Sequence, residues 1–394
     1  MNQLEENNFY PLPLKHIGDF QWLHRTKHYA GILLAFLFIS CSGQNRTQLS
    51  KDSVIESNIP AAKSQLGEVV AEMDTSLTTI FQDSRNNYWF AGGKRGAFKY
   101  DGKSLVLFSK KDGLCSNAIL GIQEDKSGNL YFDTQEGVSQ FDGQQFTTLK
   151  VIDGPAMKNE WKLEPDDLWF RMGWNKNGPY RYDGEFLFHL TLPKTEQADT
   201  FYAIYPNASF NPYGIYSLYR DRKGRIWMGT SSLGVCRYDG ETISWLYEEQ
   251  MTTIPGGGAL GIRSTLEDKA GYFWFTHTRY RYTILPGSAE RNGSTYINYQ
   301  KEDGVGFTQE NGEMDYPYFM SIAEDNEGDL WMVTYDEGVW RNNGKELIHY
   351  PIKDGEKDVL LFSIYKDQQG ILWLGTHNAG VYKYNGSDFE RFEP

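Results

Sequence analysis

The chain has 394 residues, 40% hydrophobic and 15% aromatic, with 40 glycines, 26 tyrosines and 11 tryptophans. So much apolar surface can fill a large core and excludes a disordered chain, and abundant aromatics with glycine favour pleated sheet punctuated by turns. A net charge of −13 excludes nucleic acid as a partner, because neutralising phosphates takes clustered Lys and Arg.

At the N-terminus, Arg25 and Lys27 precede the apolar run 30–40, AGILLAFLFIS. It is too short to cross roughly 30 Å of hydrocarbon and has the length of a signal-peptide core. The run ends at Cys41, and Phe38-Ile39-Ser40-Cys41 followed by Ser42-Gly43 resembles a bacterial lipoprotein processing site, with Phe38 where leucine is usual. That resemblance implies loss of a signal peptide, residues 1–40, and a lipid on Cys41. The chain would then be tied to a membrane in the cell envelope on the extracytoplasmic side, periplasmic or surface. An n-region of about thirty residues is long for this class, and an uncleaved anchor or a later start are the alternatives. Residues 41–75 read as tether and linker, since the polar stretch from Ser42 to about Ser64 has no apolar periodicity. The other two cysteines, Cys115 and Cys236, fall in different repeats and no disulfide is expected between them.

From residue 76 to 394 the sequence repeats itself. The unit reads apolar-x-x-Asp-x-x-Gly-x-apolar-Trp-apolar-x-Thr, a short variable loop, then Gly-Val-x-x-Tyr-Asp-Gly. Its aromatic anchor recurs at Trp89, Tyr131, Trp169, Trp227, Trp274, Trp331 and Trp373. Each unit parses into four short strands, at about 361–366, 371–376, 380–384 and 388–392 in the last. Asp367-Gln368-Gln369-Gly370 supplies the first turn and Asn385-Gly386 the hairpin between the last two strands. The anchor strand is apolar on both faces, as in Leu330-Trp331-Met332-Val333, which fits a sheet sandwiched between two others. Units of this length and content predict an all-β fold, a seven-bladed β-propeller with four antiparallel strands per blade.

The unit at Ile322 to Val339, and with changes at Ile122 to Val138, resembles the two-component regulator propeller repeat. The resemblance covers nearly all of the expected mature chain. It implies a sensor or binding propeller outside the cytoplasm, here expected as a stand-alone lipoprotein.

Antiparallel order puts the first-to-second and third-to-fourth turns on one face of a propeller, and the second-to-third and blade-to-blade connections on the other. The insertions 189–216, 249–263 and 286–319 are expected on the second face, which makes it the candidate binding face. Positions four and five past the anchor vary there while the frame is kept: Ser231-Ser232 in GRIWMGTSSLGV becomes His377-Asn378 in GILWLGTHNAGV. The ligand-binding candidates are Arg95, Trp174, His277, Arg279, Arg281, Tyr335, Asp336, His377 and Asn378. Rings beside Arg, Asn and Asp suit a carbohydrate or carboxylate, and a protein partner in the envelope is the rival occupant. A lyase acting on a uronate glycan is the enzymatic alternative, with His277, Arg279, Tyr280 and Tyr335 supplying cation, base and acid. No cofactor or metal is expected. The few histidines show no ligand spacing, Asp325-Asn326-Glu327-Gly328-Asp329 occupies the turn used by other blades, and GGGALG, 256–261, lacks the βαβ frame of a dinucleotide site. Binding without turnover is the expected activity.

Overall fold

The computed structural model describes residues 66–154, 160–173, 175–248, 251, 261–276, 279–308, 314–315 and 318–394. The expected signal peptide and Cys41 lie outside these residues.

The strands fall into seven successive groups, one around each anchor. In the last they run Leu361–Lys366, Leu372–Thr376, Val381–Tyr384 and Phe389–Arg391, each antiparallel to the next. Two devices in the repeat make each group. The turn aspartate accepts backbone N–H groups two and four residues on, as Asp367 does from Gln369 and Ile371 at 3.0 and 2.8 Å. Its second oxygen takes the indole N–H six residues on. Trp89, Trp227, Trp274, Trp331 and Trp373 donate to Asp83, Asp221, Asp268, Asp325 and Asp367 at 2.8–2.9 Å, and Tyr131 donates its hydroxyl to Asp125 at 3.0 Å. At the far end, the threonine of the repeat locks the second-to-third loop. Thr134, Thr230, Thr334 and Thr376 donate Oγ1 to the carbonyls of Gly137, Gly234, Gly338 and Gly380.

The core is divided among the spaces between neighbouring blades. Trp373 and Val381 of blade seven pack with Ile80, Phe90 and Phe98 of blade one, and comparable clusters join one to two, two to three, and so on around the ring. The fold is a β-propeller. Blade one takes all its strands from the start of the described chain and blade seven from the end, so no blade is shared between termini. They are stitched by the pair Leu77 and Thr376, each donating its N–H to the other's carbonyl at 2.8 Å, and by Tyr88 Oη on Asp367 at 2.7 Å.

Three features depart from the sequence reading. The linker expected to run to residue 75 joins the fold earlier: Glu68–Val69 adds a strand to the outer edge of blade one. The insertion 286–319 does not lie wholly on the expected face, because its first part extends the third-to-fourth hairpin of blade five, Tyr280–Arg291 with Ser294–Asp303. This hairpin reaches around to pair in parallel with Ile243–Leu246, the outer strand of blade four. The helix Glu196–Ile204, from the insertion 189–216, meets it there: Asn292 donates to Glu196 and Tyr296 bonds Gln197. Two insertions thus thicken the rim of blade four.

Blade three is the third departure. Its sheet holds Leu168–Phe170, Tyr180–Tyr182 and Leu187–His189, but its fourth strand, Val151–Ile152, pairs in parallel on the outer edge. Among the described residues no strand lies inside Leu168–Phe170, where every other blade has its first strand. The turn motif differs here as well: Leu163 stands in the place of the aspartate, and Pro165, placed as Gln369 is in blade seven, has no N–H to donate as Gln369 does to Asp367.

Candidate functional site

Inner strands begin at the insertion face, beside the propeller axis, so their first side chains meet the locked second-to-third loops there. Blades six and seven are laced together by Leu360-Leu361. The Leu361 N–H donates to the Tyr335 carbonyl at 2.7 Å, and the Leu360 carbonyl accepts from the His377 N–H at 2.8 Å. This lacing sets Phe362 edge-on to the His377 ring, centroids 4.9 Å apart, with Tyr335 at 5.9 Å on another side. Across the axis, Arg263 at the start of blade five lies over the ring of Tyr216 from blade four at 4.8 Å and faces Phe362 at 5.9 Å. Burial, with Arg263 close by, pushes the His377 imidazole down to about 4. At neutral pH this is a neutral histidine beside a fixed cation.

The sequence-predicted residues divide. Tyr335 and His377 meet in this cluster. Asn378 is exposed, and its side-chain oxygen accepts the Leu360 N–H at 3.0 Å, so it braces the lacing. Asp336 is exposed on the neighbouring loop. Arg95 stands on blade one, paired with Asp74 at 3.4 Å and over the Phe98 ring at 5.1 Å. Arg279 and Arg281 belong to the arm of blade five, paired with Asp303 at 3.5 Å and Glu302 at 2.9 Å. Tyr280 lies between the charges of Arg279 and Lys301, at 4.8 and 4.6 Å. Trp174 and His277 lie outside the described residues. Sequence reasoning missed Arg263, Tyr216 and Phe362. They sit just before or at the start of an inner strand, and comparing only the second-to-third loops passed over them.

Beside the cluster a cavity of about 400 Å³ opens along the inner side of Leu168–Phe170, where no strand lies among the described residues. It is bounded by the inner strands of blades two and four, Ile119–Glu124 and Ile215–Arg220, and floored by Asp167, Trp169 and Arg171. Side chains from the neighbouring blades bond the backbone of this edge. Gln123 donates to the Trp169 carbonyl at 2.7 Å and Arg220 to that of Asp167 at 2.9 Å, while the buried Asp133 accepts the N–H groups of Arg171 and Met172 at 3.1 and 3.0 Å. Arg171 bridges the opening, donating to the carbonyls of Tyr216, at 2.8 Å, and Leu120. Burial pushes the Asp133 carboxyl up, against the pull of Arg171. Among the described residues no group of His, Cys, Asp and Glu could hold a metal, and no helix is long and apolar enough to cross a membrane.

Architecture and site together define a β-propeller with a polar, cation-bearing centre on one face. Two of its stretches, residues 209–232 and 355–378, match the model of the two component regulator propeller family. The first match ends on Ser231-Ser232 and the second on His377-Asn378. Among solved structures the chain resembles the extracellular domain of BT4673 from Bacteroides thetaiotaomicron, described as that of a hybrid two component system. The identity is 22% and the TM-score 0.52, over 82% of this chain and 40% of that one. It also resembles virginiamycin B lyase from Staphylococcus aureus, at 12% identity and TM-score 0.55 over 80% of this chain and 97% of that one. PorZ of Porphyromonas gingivalis, a surface component of the type-IX secretion system, is 16% identical with a TM-score of 0.52, over 80% of this chain and 48% of that one. The chain therefore spans about two fifths of the BT4673 extracellular domain. At these identities the likeness is one of fold. No curated protein sequence matches the chain.

Proposed function

We propose that the chain is an extracytoplasmic, sensor-type propeller that recognises an acidic glycan at the axial end of its insertion face, and that a lipid on Cys41 holds it to the membrane. The observation that carries this reading is the convergence of Arg263, Tyr216, Phe362, Tyr335 and His377 from four blades. Ring faces pack on the C–H surfaces of a sugar, and a guanidinium takes its carboxylate with two parallel hydrogen bonds. The repeat family and the likeness to an extracellular sensor domain agree with a binding role outside the cytoplasm. Calorimetric titration with glucuronate and galacturonate oligosaccharides, using neutral oligosaccharides of equal length as controls, tests the reading. Uronate chains should bind at least about tenfold more tightly than neutral ones, and Arg263→Ala should remove that preference, a loss of about 1.4 kcal/mol. Arg279→Ala on the arm of blade five should leave it intact. Equal affinity for neutral and acidic chains, or no binding of either, would sink the proposal.

One observation favours a second reading, a uronate lyase: a neutral histidine stands beside a tyrosine and an arginine. Arg263 would neutralise the carboxylate, His377 remove the C5 proton and Tyr335 protonate the leaving oxygen. The same oligosaccharides, monitored for the absorbance of the unsaturated product, decide it; binding without that absorbance excludes the lyase.

A further inference from the structure

Among the described residues five large apolar side chains stand exposed, and three of them share one turn of chain: Tyr202, Ile204 and Tyr205, at 44, 62 and 49%, where the helix Glu196–Ile204 ends. The other two, Val69 and Phe186, lie apart, on the added strand of blade one and in a turn of blade three. Single exposed apolar residues are ordinary on a protein surface, whereas a group of them rimmed by polar residues marks a binding surface. Thr200, Asn207 and Ser209 beside them are exposed too. The rings are firmly mounted. Ala198 and Phe201 bury the inner side of the helix among Leu190, Leu192 and Tyr213, the Thr195 side chain accepts the Ala198 N–H at 3.3 Å, and Asn292 and Tyr296 of the arm hold the first turn. Phe201 then braces the exposed rings: it stands edge-on to Tyr202 at 5.5 Å and packs on Tyr205 at 5.2 Å and Phe210 at 5.6 Å. Rings held in this way lose little freedom when a ligand covers them.

Charge and size decide what suits this surface. From Thr200 to Tyr219 there is no Asp, Glu, Lys or Arg, in a chain of which 23% is charged. The charges of the helix belong to its first turn and are engaged, Asp199 with Lys194 at 2.8 Å and Glu196 with Asn292 at 2.6 Å. A charged ligand would give up its water here and find no counter-charge in return. A bilayer is a poor match, since helices that lie on membranes carry Lys and Arg on their polar face. A stable protein interface takes roughly 800 Å² from each partner, well beyond what three side chains present. A neutral sugar fits on both counts: the face of a tyrosine packs on the C–H face of a pyranose, while the tyrosine hydroxyls, the Asn207 amide and the Ser209 hydroxyl can exchange hydrogen bonds with its hydroxyl groups.

We propose that Tyr202 and Tyr205 form a stacking platform for a neutral oligosaccharide, with Asn207 and Ser209 bonding its hydroxyl groups. The platform shares no residue with the axial cluster and stands or falls independently of the acidic-glycan reading.

The test is a calorimetric titration of the full chain with cellohexaose, maltohexaose, mannohexaose and laminarihexaose. The variants are Tyr202→Ala, Tyr205→Ala, Tyr202→Phe and Tyr205→Phe, with Phe186→Ala as the control on an exposed ring elsewhere, and thermal melts verify folding. At least one of these sugars should bind the wild type. Each alanine variant should then lose affinity by about tenfold or more, each phenylalanine variant should stay within about threefold, and Phe186→Ala and Arg263→Ala should bind like the wild type. Should one alanine variant melt early, the other still reads the loss. Failure of all these sugars to bind, or undiminished affinity in both alanine variants, overturns the platform. If Arg263→Ala removes neutral-sugar binding and the alanine variants keep it, the sugar sits at the axial cluster and the platform falls. Two further outcomes overturn it by assigning the surface elsewhere: a dimer in sedimentation that Tyr202→Ala dissociates, which gives it to a second copy, and pelleting with phosphatidylcholine vesicles that the same change prevents, which gives it to the bilayer.

Discussion

At the scale of single residues, His377 and Asn378 divide the work of the two variable letters. Asn378 spends its side-chain oxygen on the Leu360 N–H. His377 is enclosed by Phe362 and Tyr335 with Arg263 near, and its imidazole is held neutral down to about pH 4. In the unfolded chain it takes a proton near pH 6.5, so between pH 6.5 and 4 the unfolded state binds more protons than the folded one. Stability is therefore unaffected by this group above pH 6.5 and falls as the pH drops through that window, by on the order of 2 kcal/mol. Urea unfolding of the wild type and His377→Gln at a series of pH values from 4 to 7 should show the variant losing less stability on acidification. Parallel curves would mean that the ring is solvated in both states.

Among elements, the anchor strand with its turn is the unit that repeats, and blade three shows what happens when half of it is lost. Trp331 donates its indole N–H to Asp325 at 2.8 Å. Trp169 is as deeply buried, yet Leu163 stands where the aspartate should, and the Trp169 indole nitrogen has no hydrogen-bond partner among the described residues. Replacing either by phenylalanine removes similar volume, but only Trp331→Phe also strands a carboxylate oxygen. It should cost about 1–2 kcal/mol more than Trp169→Phe in denaturant unfolding. Equal costs would show that the Asp–Trp bond contributes nothing net. The deviation of blade three was legible in its own turn, where Leu163 replaces the aspartate and Pro165 follows two residues on. The arm of blade five was not legible as an arm. Its residues alternate like any strand, and which edge a long hairpin joins depends on the open edge of blade four.

For the whole molecule, closure between blades one and seven is the point of greatest leverage. Asp367 holds its own turn, the Trp373 indole at 2.9 Å and, across the closure, the Tyr88 hydroxyl at 2.7 Å. Asp367→Ala leaves several buried donors without acceptors and should cost about 3 kcal/mol or more, and Asp101→Ala at an exposed hairpin turn should cost far less. Thermal melts of the two variants check this, and similar melting points would show that the ring does not depend on that junction. The sequence by itself determined the repeat, the strands and turns of the blades that keep it, and the positions at which the second-to-third loops vary. These follow from local rules: turn chemistry acts over four residues, and the identity of an anchor is set within its own unit. The tertiary structure alone decided that His377 and Tyr335 meet Arg263, that Arg279 and Arg281 stay out on the arm, and that a cavity opens beside Trp169 and Arg171. Each of those depends on contacts between blades far apart in the chain, which a periodic sequence pattern does not specify.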